Sequence, residues 1–268
     1  MTVEVLISCM HQSANELITR SNIQSDVLVI NQCDENSEER FEFVNHENKT
    51  CIARVINTTE RGLSKSRNLA IKNAIGDICL LCDDDEILEN DYVYKIKSAF
   101  NNHPNFSVIS FRFNMPSNYY MTKTFWNESK VINYKTALKI SSWQIAFRKK
   151  DITLNNIHFD EKIGSGVTKA GGEEKIFLHN CLSYNLKVMY VPITIGNMTF
   201  QASQWVDNIF SPEYFIDWGY YTKRLKGGSL GATILSLLFA IKKHPEYTHK
   251  CSFHKAFTSM LKGIYLKK

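Results

Sequence analysis

Four consecutive acids, Asp83, Asp84, Asp85 and Glu86, follow a short apolar stretch of the chain. Adjacent carboxylates repel one another, so folding alone does not favour this arrangement. A divalent cation would relieve the repulsion, and hard cations prefer oxygen ligands. The cluster therefore indicates a metal site, with an acidic loop that caps the next helix as the structural alternative. An EF-hand is excluded because the acids are consecutive and no glycine occupies the sixth loop position.

A second acidic pair, Glu173 and Glu174, follows Gly171 and Gly172. Two glycines favour a turn, and acids suit the first turn of a helix, so we predict a helix over residues 175–184. One of these glutamates could take a proton during catalysis. The structural alternative is that both acids only stabilise the start of the helix.

The strand that positions the first cluster is predicted at residues 78–82, an apolar run of the kind buried on both faces of a parallel sheet. The acids then lie at its carboxyl end, where open α/β sheets bind ligands. Cys79 and Cys82 have the C-x-x-C spacing of redox and zinc motifs. On a strand these thiols point to opposite faces, so we interpret them as core cysteines.

Strand and helix patterns alternate along the chain, which predicts an α/β fold with a parallel, doubly wound sheet. Ser64 is the predicted N-cap of a helix and Gly76 its C′ residue. Residues 36–50 are predicted as a loop or short ribbon, and residues 115–135, with Tyr119 and Tyr120, as an aromatic, irregular segment. The predicted strands cover residues 3–9, 26–32, 51–56, 78–82, 106–114, 143–148 and 187–195, and the other helices residues 14–21 and 91–100.

The net charge of +5 hides an asymmetry, because ten Lys/Arg residues and one acid, Glu246, lie from Gly219 onward. This tail carries +9. Its apolar residues 231–241 are too few to span a bilayer, which needs about 20. They could lie on an anionic membrane surface, or pack as helices on the body of the protein. Five aromatic residues after Pro212 are candidates for an acceptor site or an interface: Tyr214, Phe215, Trp218, Tyr220 and Tyr221.

Hydrophobic residues make up 44% of the sequence, which is ample for a packed core and argues against global disorder. The first apolar run is followed at once by polar residues, unlike a secretory leader. We therefore expect a cytoplasmic protein, held by its basic tail at the inner face of the cell membrane. We expect no nucleic acid partner.

Four stretches, at residues 6–11, 29–34, 62–85 and 171–174, together resemble the family 2 glycosyltransferases of bacterial polysaccharide biosynthesis. These are inverting enzymes that use nucleotide sugars on a GT-A fold. The resemblance implies a Rossmann-like, mostly parallel central sheet flanked by helices, followed by a helical basic tail. A change in composition near Ser211 and Pro212 sets the boundary of this catalytic domain, so we expect it over residues 1–210, with a nucleotide-sugar half (1–100) and an acceptor half (101–210), and an extension over residues 211–268.

The resemblance also implies roles for residues of the nucleotide side. Asp34 and Arg67 would contact the base, with Ser8 and Met10 lining that side. Taken alone, Arg67 would equally suit an ordinary charge on a helix surface. The opening turn lacks the family's usual proline-aromatic-asparagine sequence.

For the reaction itself, the resemblance implies that Asp83 and Asp84 bind the nucleotide and that Asp85 binds Mn²⁺ or Mg²⁺. Glu174, with Glu173 beside it, would be the catalytic base. The family motif is Glu-Asp at the position where this chain has Glu-Glu, so either glutamate could serve as the base. Many members have a late histidine ligand where this chain has Asn197, so we do not expect the protein to supply a third metal ligand.

The implied reaction needs both acid clusters. Displacing a nucleoside diphosphate from a sugar requires neutralised charge on the leaving oxygens and a base for the acceptor hydroxyl. The expected donor is a UDP-sugar and the expected acceptor a glycan or lipid-linked glycan. A nucleotidyltransferase is the first alternative, although residues 10–13 lack the glycine and Lys/Arg of a phosphate loop. A catalytically silent GT-A scaffold or sugar-binding protein is the second.

Overall fold

The computed structural model describes residues 1–116, 125–199 and 209–265. Tyr119 and Tyr120, in the segment predicted to be irregular, lie outside the described residues. The chain divides into two compact units. The first comprises Met1–Arg61, Lys65–Phe159 and Phe177–Gln201, and the second Gly62–Ser64, Asp160–Ile176 and Ala202–Lys268.

The first hundred residues alternate strands and helices, as their apolar periodicity predicts. Their elements are β1 (Val3–Met10), α1 (Ala14–Arg20), β2 (Asp26–Gln32), β3 (Ser37–Val44), β4 (Thr50–Thr58), α2 (Leu63–Asn73), β5 (Ile78–Cys82), β6 (Glu86–Leu88) and α3 (Tyr92–Asn102). The ribbon predicted within residues 36–50 is β3, which pairs antiparallel with β4.

The later elements include short ones that sequence patterns did not predict. In chain order they are β7 (Val108–Asn114), β8 (Lys130–Ile132), α4 (Tyr134–Ala137), β9 (Ile145–Arg148), α5 (Lys149–Leu154), α6 (Glu173–Ser183), β10 (Val188–Met198), α7 (Pro212–Lys226), α8 (Ser229–Tyr247) and α9 (Phe253–Tyr265). The predicted irregular segment therefore contains β8, and the strand predicted from Trp143 begins two residues later because Ser142–Gln144 forms a 3₁₀ turn.

The described strands form one sheet of ten, in the order β3-β4-β2-β1-β5-β9-β7-β10-β6, with β8 paired to β10. Six of them, β4, β2, β1, β5, β7 and β10, run in one direction, and the other four are antiparallel to their neighbours. The predicted α/β class with a mostly parallel sheet is confirmed.

Strand β5 is buried along its whole length, as its unbroken apolar sequence predicts. Leu80 and Cys82 belong to one apolar core and Cys79 and Leu81 to the other, on the opposite face of the sheet. The two cysteines therefore diverge, and both thiols are free and buried. This confirms that the C-x-x-C spacing is structural.

The predicted caps of α2 are wrong. Ser64 lies inside the helix, and its hydroxyl donates a hydrogen bond to the Ile163 carbonyl at 2.6 Å instead of capping the first turn. The helix ends at Asn73, so Gly76 is not its C′ residue. The amide of Gly76 instead donates to the buried Glu4 carboxylate at 2.8 Å. In both cases a long-range partner replaces the local capping contact.

The second unit contains the helices of the basic tail. Helix α7 starts at an N-cap, Ser211, whose hydroxyl accepts from the Tyr214 amide, and ends at Gly227, which has a φ of 66°. Glycines bring α7 and α9 into backbone contact: a Cβ on Gly219 would lie 1.9 Å from the Met260 carbonyl oxygen, and one on Gly263 1.8 Å from that of Ile216. Within the described ranges no helix is long and apolar enough to cross a membrane.

We expect Gly263→Ala to destabilise the protein by about 1–3 kcal/mol, because the added methyl forces α9 away from α7. Thermal unfolding of the full chain measures this. The matched control is Gly231→Ala in α8, where the nearest atom to a new Cβ is 3.5 Å away. Alanine should be neutral or stabilising there, because it is the better helix former. Equal melting temperatures for the two variants would contradict the close packing of α7 and α9.

Candidate active site

A cleft of about 540 Å³ lies in the first unit, where polar residues follow β2 and line the start of α1. Asp34, a predicted site residue, lines it. Sequence reasoning missed Asn31 and Asn57, which also line it and are joined by a 2.9 Å hydrogen bond from Asn31 Nδ2 to Asn57 Oδ1. The signal was present, since both are polar residues near the carboxyl ends of buried strands. Gln12 also lines this cleft, and its backbone amide donates a hydrogen bond to Asn31 Oδ1 at 3.1 Å.

Asp34 is held by Arg61, whose guanidinium nitrogen lies 2.8 Å from the carboxylate. Arg61 also donates to the carbonyls of Cys33 and Thr58, which ties the cation to the ends of two strands. The Asp34 side chain remains 87% exposed. An exposed, oriented carboxylate beside a cleft is suited to accept hydrogen bonds from a ligand.

Arg67 is buried, with 2% of the residue exposed, so it is not an ordinary charge on a helix surface. Its guanidinium donates to Asp83 Oδ1 at 2.8 Å and lies over the ring of Phe159, 5.5 Å from the centroid. A buried cation needs such a partner. Arg67 therefore fixes the first acid of the cluster.

The other two predicted residues lie on β1. Ser8 is buried, and its hydroxyl accepts a hydrogen bond from the Ser66 hydroxyl at 2.8 Å, which links β1 to α2. Met10 ends the strand and is exposed. These residues and Arg67 lie outside the lining of the cleft that contains Asp34.

The acid cluster begins directly after β5. Burial and the Asp83 carboxylate raise the pKa of Asp84. Burial, followed by the carboxylates of Asp83 and Asp84, raises the pKa of Asp85 to about 6. The backbone here is anchored, because the Asp85 carbonyl accepts hydrogen bonds from the amide and hydroxyl of Thr199 at 2.9 and 2.8 Å. The carboxylates are thus held close together against their mutual repulsion.

Glu86, for which the sequence suggested no role, is buried at the start of β6. One of its oxygens accepts from the Asp83 amide at 3.1 Å, and the other, Oε2, is buried and has no hydrogen-bond partner among the described residues. Burial and the nearby Asp83 and Asp85 carboxylates raise the pKa of Glu86 well above its usual value. The cluster thus holds more acidic oxygens than its hydrogen bonds satisfy.

Among the residues that the structure describes, no three His, Cys, Asp or Glu side chains converge as a metal cage. The Asn197 side chain accepts a hydrogen bond from Asn114 at 2.9 Å. The crowded carboxylate oxygens of Asp84 and Asp85, whose pKa values are raised, nevertheless fit a divalent cation that takes its remaining ligands from a substrate.

Glu173 and Glu174 lie in the second unit as the first residues of α6, so the helix begins two residues earlier than predicted. The turn before it requires glycine, because Gly171 and Gly172 have φ values of 58° and 101°. Both glutamates are buried, and Glu174 pairs with Lys175. Acidic side chains in the first turn of a helix interact favourably with the helix dipole.

Tyr221 of α7 packs beside this acidic pair. A Cβ on Gly172 would lie 2.6 Å from its ring, so only glycine permits this packing. Burial, together with the carboxylates of Glu174 and Glu173, raises the pKa of Tyr221 above its ordinary value. Of the aromatic residues noted after Pro212, Tyr221 is therefore placed at the acids, whereas Tyr214 and Phe215 belong to the apolar cluster between α7, α8 and α9.

Comparisons with known proteins agree with these observations. Residues 5–164, about three-fifths of the chain, match the model of the family described as "Glycosyl transferase family 2". This segment contains the predicted site residues from Ser8 to Asp85. No curated protein sequence matches the chain at a significant level.

Solved structures share the fold at low identity. Residues 1–349 of TarS from S. aureus, in complex with UDP-GlcNAc, align with a TM-score of 0.68 and 14% identity, over 97% of this chain and 80% of that one. The same TarS segment with UDP aligns with a TM-score of 0.65 and 14% identity, over 99% and 81%. The mannosyltransferase PcManGT from Pyrobaculum calidifontis, in complex with GDP-Man and Mn²⁺, aligns with a TM-score of 0.52 and 11% identity, over 98% and 73%. The chain belongs to glycosyl transferase family 2 and is a glycosyltransferase with the GT-A fold.

Proposed function

We propose that this glycosyltransferase transfers a sugar from a UDP-sugar to a hydroxyl of a glycan or lipid-linked glycan, with inversion and with the help of Mn²⁺ or Mg²⁺. Such a reaction would serve surface polysaccharide biosynthesis. The observation that carries the proposal is the crowded acid cluster after β5, where the pKa of Asp85 is raised to about 6. The TarS structures with UDP-GlcNAc and UDP support the choice of donor.

The base and ribose of the nucleotide are assigned to the first unit. Asp34, exposed and held by Arg61, would accept hydrogen bonds from the base beside Asn31. Ser8 and Met10 would contact the nucleotide from β1, outside the lining of the cleft that contains Asp34. Arg67 would act by holding the carboxylate of Asp83 towards the ribose, because the two are joined at 2.8 Å.

The cation is assigned to Asp85, with Asp84 on its nucleotide side. A cation bound there would neutralise negative charge on the leaving diphosphate oxygens. The chain's own contribution is a rigid backbone: the Asp84 carbonyl accepts from Arg20 at 3.1 Å, and the Asp85 carbonyl accepts from Thr199. These contacts would keep the carboxylates together before the nucleotide arrives.

The general base is assigned to Glu174. Successive helical residues point about 100° apart, so only one of the two glutamates can face the acceptor hydroxyl. A Cβ on Gly164 would lie 3.3 Å from Glu173 Oε2, so the Glu173 carboxylate lies against the preceding loop. If Glu174 is the base, the Glu173 carboxylate can keep this contact with the loop during the reaction.

The domain assignment stays a proposal as well. Residues 1–210 would carry the chemistry, with the nucleotide-sugar half at 1–100 and the acceptor half at 101–210. Residues 211–268 would support it, because Tyr221 packs on Gly172 beside the acidic pair.

Thermal-shift measurements with nucleoside diphosphates, each with and without Mn²⁺, test the donor and the cation together. A ligand at 100 times its dissociation constant stabilises the fold by about 2.7 kcal/mol. We expect the largest shift with UDP plus Mn²⁺. A larger shift with another nucleotide would overturn the choice of donor. A donor-hydrolysis assay separates the enzyme from a silent scaffold, and released nucleoside diphosphate separates sugar transfer from nucleotidyl transfer.

Asp34→Asn should weaken UDP binding while leaving the melting temperature unchanged, because an exposed ion pair contributes little to stability. Isothermal titration calorimetry and thermal unfolding measure the two effects. Glu47→Gln is the matched control, since Glu47 also forms an exposed ion pair, with Lys49, in the same unit. If both variants bind UDP like the unaltered protein, Asp34 does not contact the nucleotide.

A further inference from the structure

Helix α8 packs inward mainly through small residues and Phe239, which stacks on Trp218 of α7, and it leaves five of its large apolar residues exposed. Its fully buried residues are Ala232, Ser236 and Ala240, with Tyr247 about two turns beyond. Five large apolar side chains of the same helix are 37–78% exposed: Leu230, Ile234, Leu237, Leu238 and Ile241. A surface helix of a globular protein has the opposite arrangement, with its large apolar residues facing the core.

The inward face of α8 makes specific contacts within the second unit. The Ser236 hydroxyl lies 3.1 Å from the Thr222 hydroxyl of α7, and both are buried. Ala240 accepts a 2.8 Å hydrogen bond from Tyr247 through its carbonyl and belongs to the apolar cluster of α7, α8 and α9. The orientation of α8 is therefore determined by specific contacts, and the outward side chains are excess to the packing of the unit.

The outward residues form one continuous stripe. At 100° per residue they fall within an arc of about 100°, and from Leu230 to Ile241 they extend about 16 Å along the axis. Isolated apolar residues on a surface are ordinary, but a contiguous apolar face indicates a binding surface.

The charges around the stripe indicate what covers it. Lys226 precedes the stripe, with its aliphatic stem 3.5 Å from the position of a Cβ on Gly231, and the exposed Lys242 follows Ile241 directly. Glu246 is the only acid from Gly219 onward, and it is paired with Lys243. An apolar stripe with lysines at both ends complements a surface that is apolar inside and anionic outside.

We propose that the outward face of α8 binds an anionic phospholipid bilayer, with the helix lying in the plane of the interface. Apolar side chains of such helices enter about 5–10 Å into the headgroup and acyl boundary while basic residues meet the anionic headgroups. A second copy of the chain is disfavoured, because a symmetric dimer through this face would bring Lys226 and Lys242 near lysines of the other copy in either helix orientation. This inference concerns binding and holds whichever sugar the enzyme transfers.

Co-sedimentation of the full chain with vesicles of phosphatidylglycerol and phosphatidylcholine tests the proposal. The triple variant Ile234→Ser, Leu238→Ser and Ile241→Ser should lower the partition coefficient at least tenfold. The matched control replaces three exposed apolar residues of the first unit, Tyr94, Val131 and Leu154, by serine and should bind like the unaltered protein. All six side chains are exposed, so circular dichroism should show both triple variants folded.

The electrostatic part has its own test. Replacing Lys226 and Lys242 by glutamine should weaken binding roughly fivefold for each charge removed. Binding of the unaltered protein should also fall as salt is raised to 1 M, where the screening length is about 3 Å. Vesicles of phosphatidylcholine alone should bind the protein weakly.

Two outcomes would overturn the proposal. If the α8 triple variant and its control partition equally into anionic vesicles, the stripe does not contact lipid. If sedimentation velocity without vesicles shows a dimer that only the α8 variant dissociates, the face joins two copies of the chain.

Discussion

Replacing Glu174 by glutamine should lower turnover by about 10²-fold or more while donor affinity stays nearly unchanged. Glutamine keeps the size and shape of the side chain but cannot accept the proton of the acceptor hydroxyl. None of the donor contacts proposed above involves Glu174, so donor binding should survive the substitution. Steady-state kinetics with titration calorimetry for UDP measures both quantities.

Glu173→Gln is the matched control, because it changes the same chemical group at the neighbouring position of α6. We expect it to retain most of its activity. A dead Glu173→Gln beside an active Glu174→Gln would assign the base to Glu173. The configuration of the product tests the mechanism separately, since a product that keeps the donor's anomeric configuration is incompatible with a single displacement.

Asp85→Asn should abolish transfer and remove the Mn²⁺ dependence of nucleotide binding. The asparagine is nearly isosteric but lacks the charge that holds a cation. Because the folded protein raises the pKa of Asp85 to about 6, the ionised carboxylate disfavours the fold above that pH when no cation is bound. The metal-free variant should therefore melt at an unchanged or higher temperature at neutral pH.

This combination of lost function and retained stability distinguishes a binding role from a structural one. Binding of UDP with and without Mn²⁺, followed by calorimetry, gives the metal dependence. Asp151→Asn is the control, since Asp151 lies in α5 outside the acid cluster. Metal-dependent UDP binding that survives in Asp85→Asn would remove Asp85 from the cation site.

The sequence alone determined the elements whose burial is uniform or strictly periodic. Strands β2 and β5 have the predicted bounds, because unbroken apolar runs between turn residues leave few other registers. The same reasoning located the acid cluster at a strand end and the glutamate pair at a helix start. It failed at the caps of α2, where Ser64 and Gly76 take partners distant in sequence.

Only the tertiary structure decided which charged groups meet. The resemblance grouped Asp34 with Arg67 at the base, whereas the fold pairs Asp34 with Arg61 and Arg67 with Asp83. Sequence spacing does not predict such pairs, because the partners come from separate elements that the sheet brings together. The same holds for Asn31 and Asn57, which are neighbours only because β2 and β4 pair in parallel register.

Helix α8 shows this limit most directly. The tail was predicted to be helical, and residues 231–241 are indeed helical. The sequence pattern cannot tell which face is buried, and on apolar content the large residues would be placed inside. In the structure the buried face instead contains Ala232, Ser236 and Ala240 beside Phe239, and the buried hydroxyls of Ser236 and Thr222 form a hydrogen bond between α8 and α7. The hydrophobic effect favours burial of any apolar surface and does not distinguish between the faces of α8. Shape and hydrogen-bond complementarity with α7 determine which face is buried.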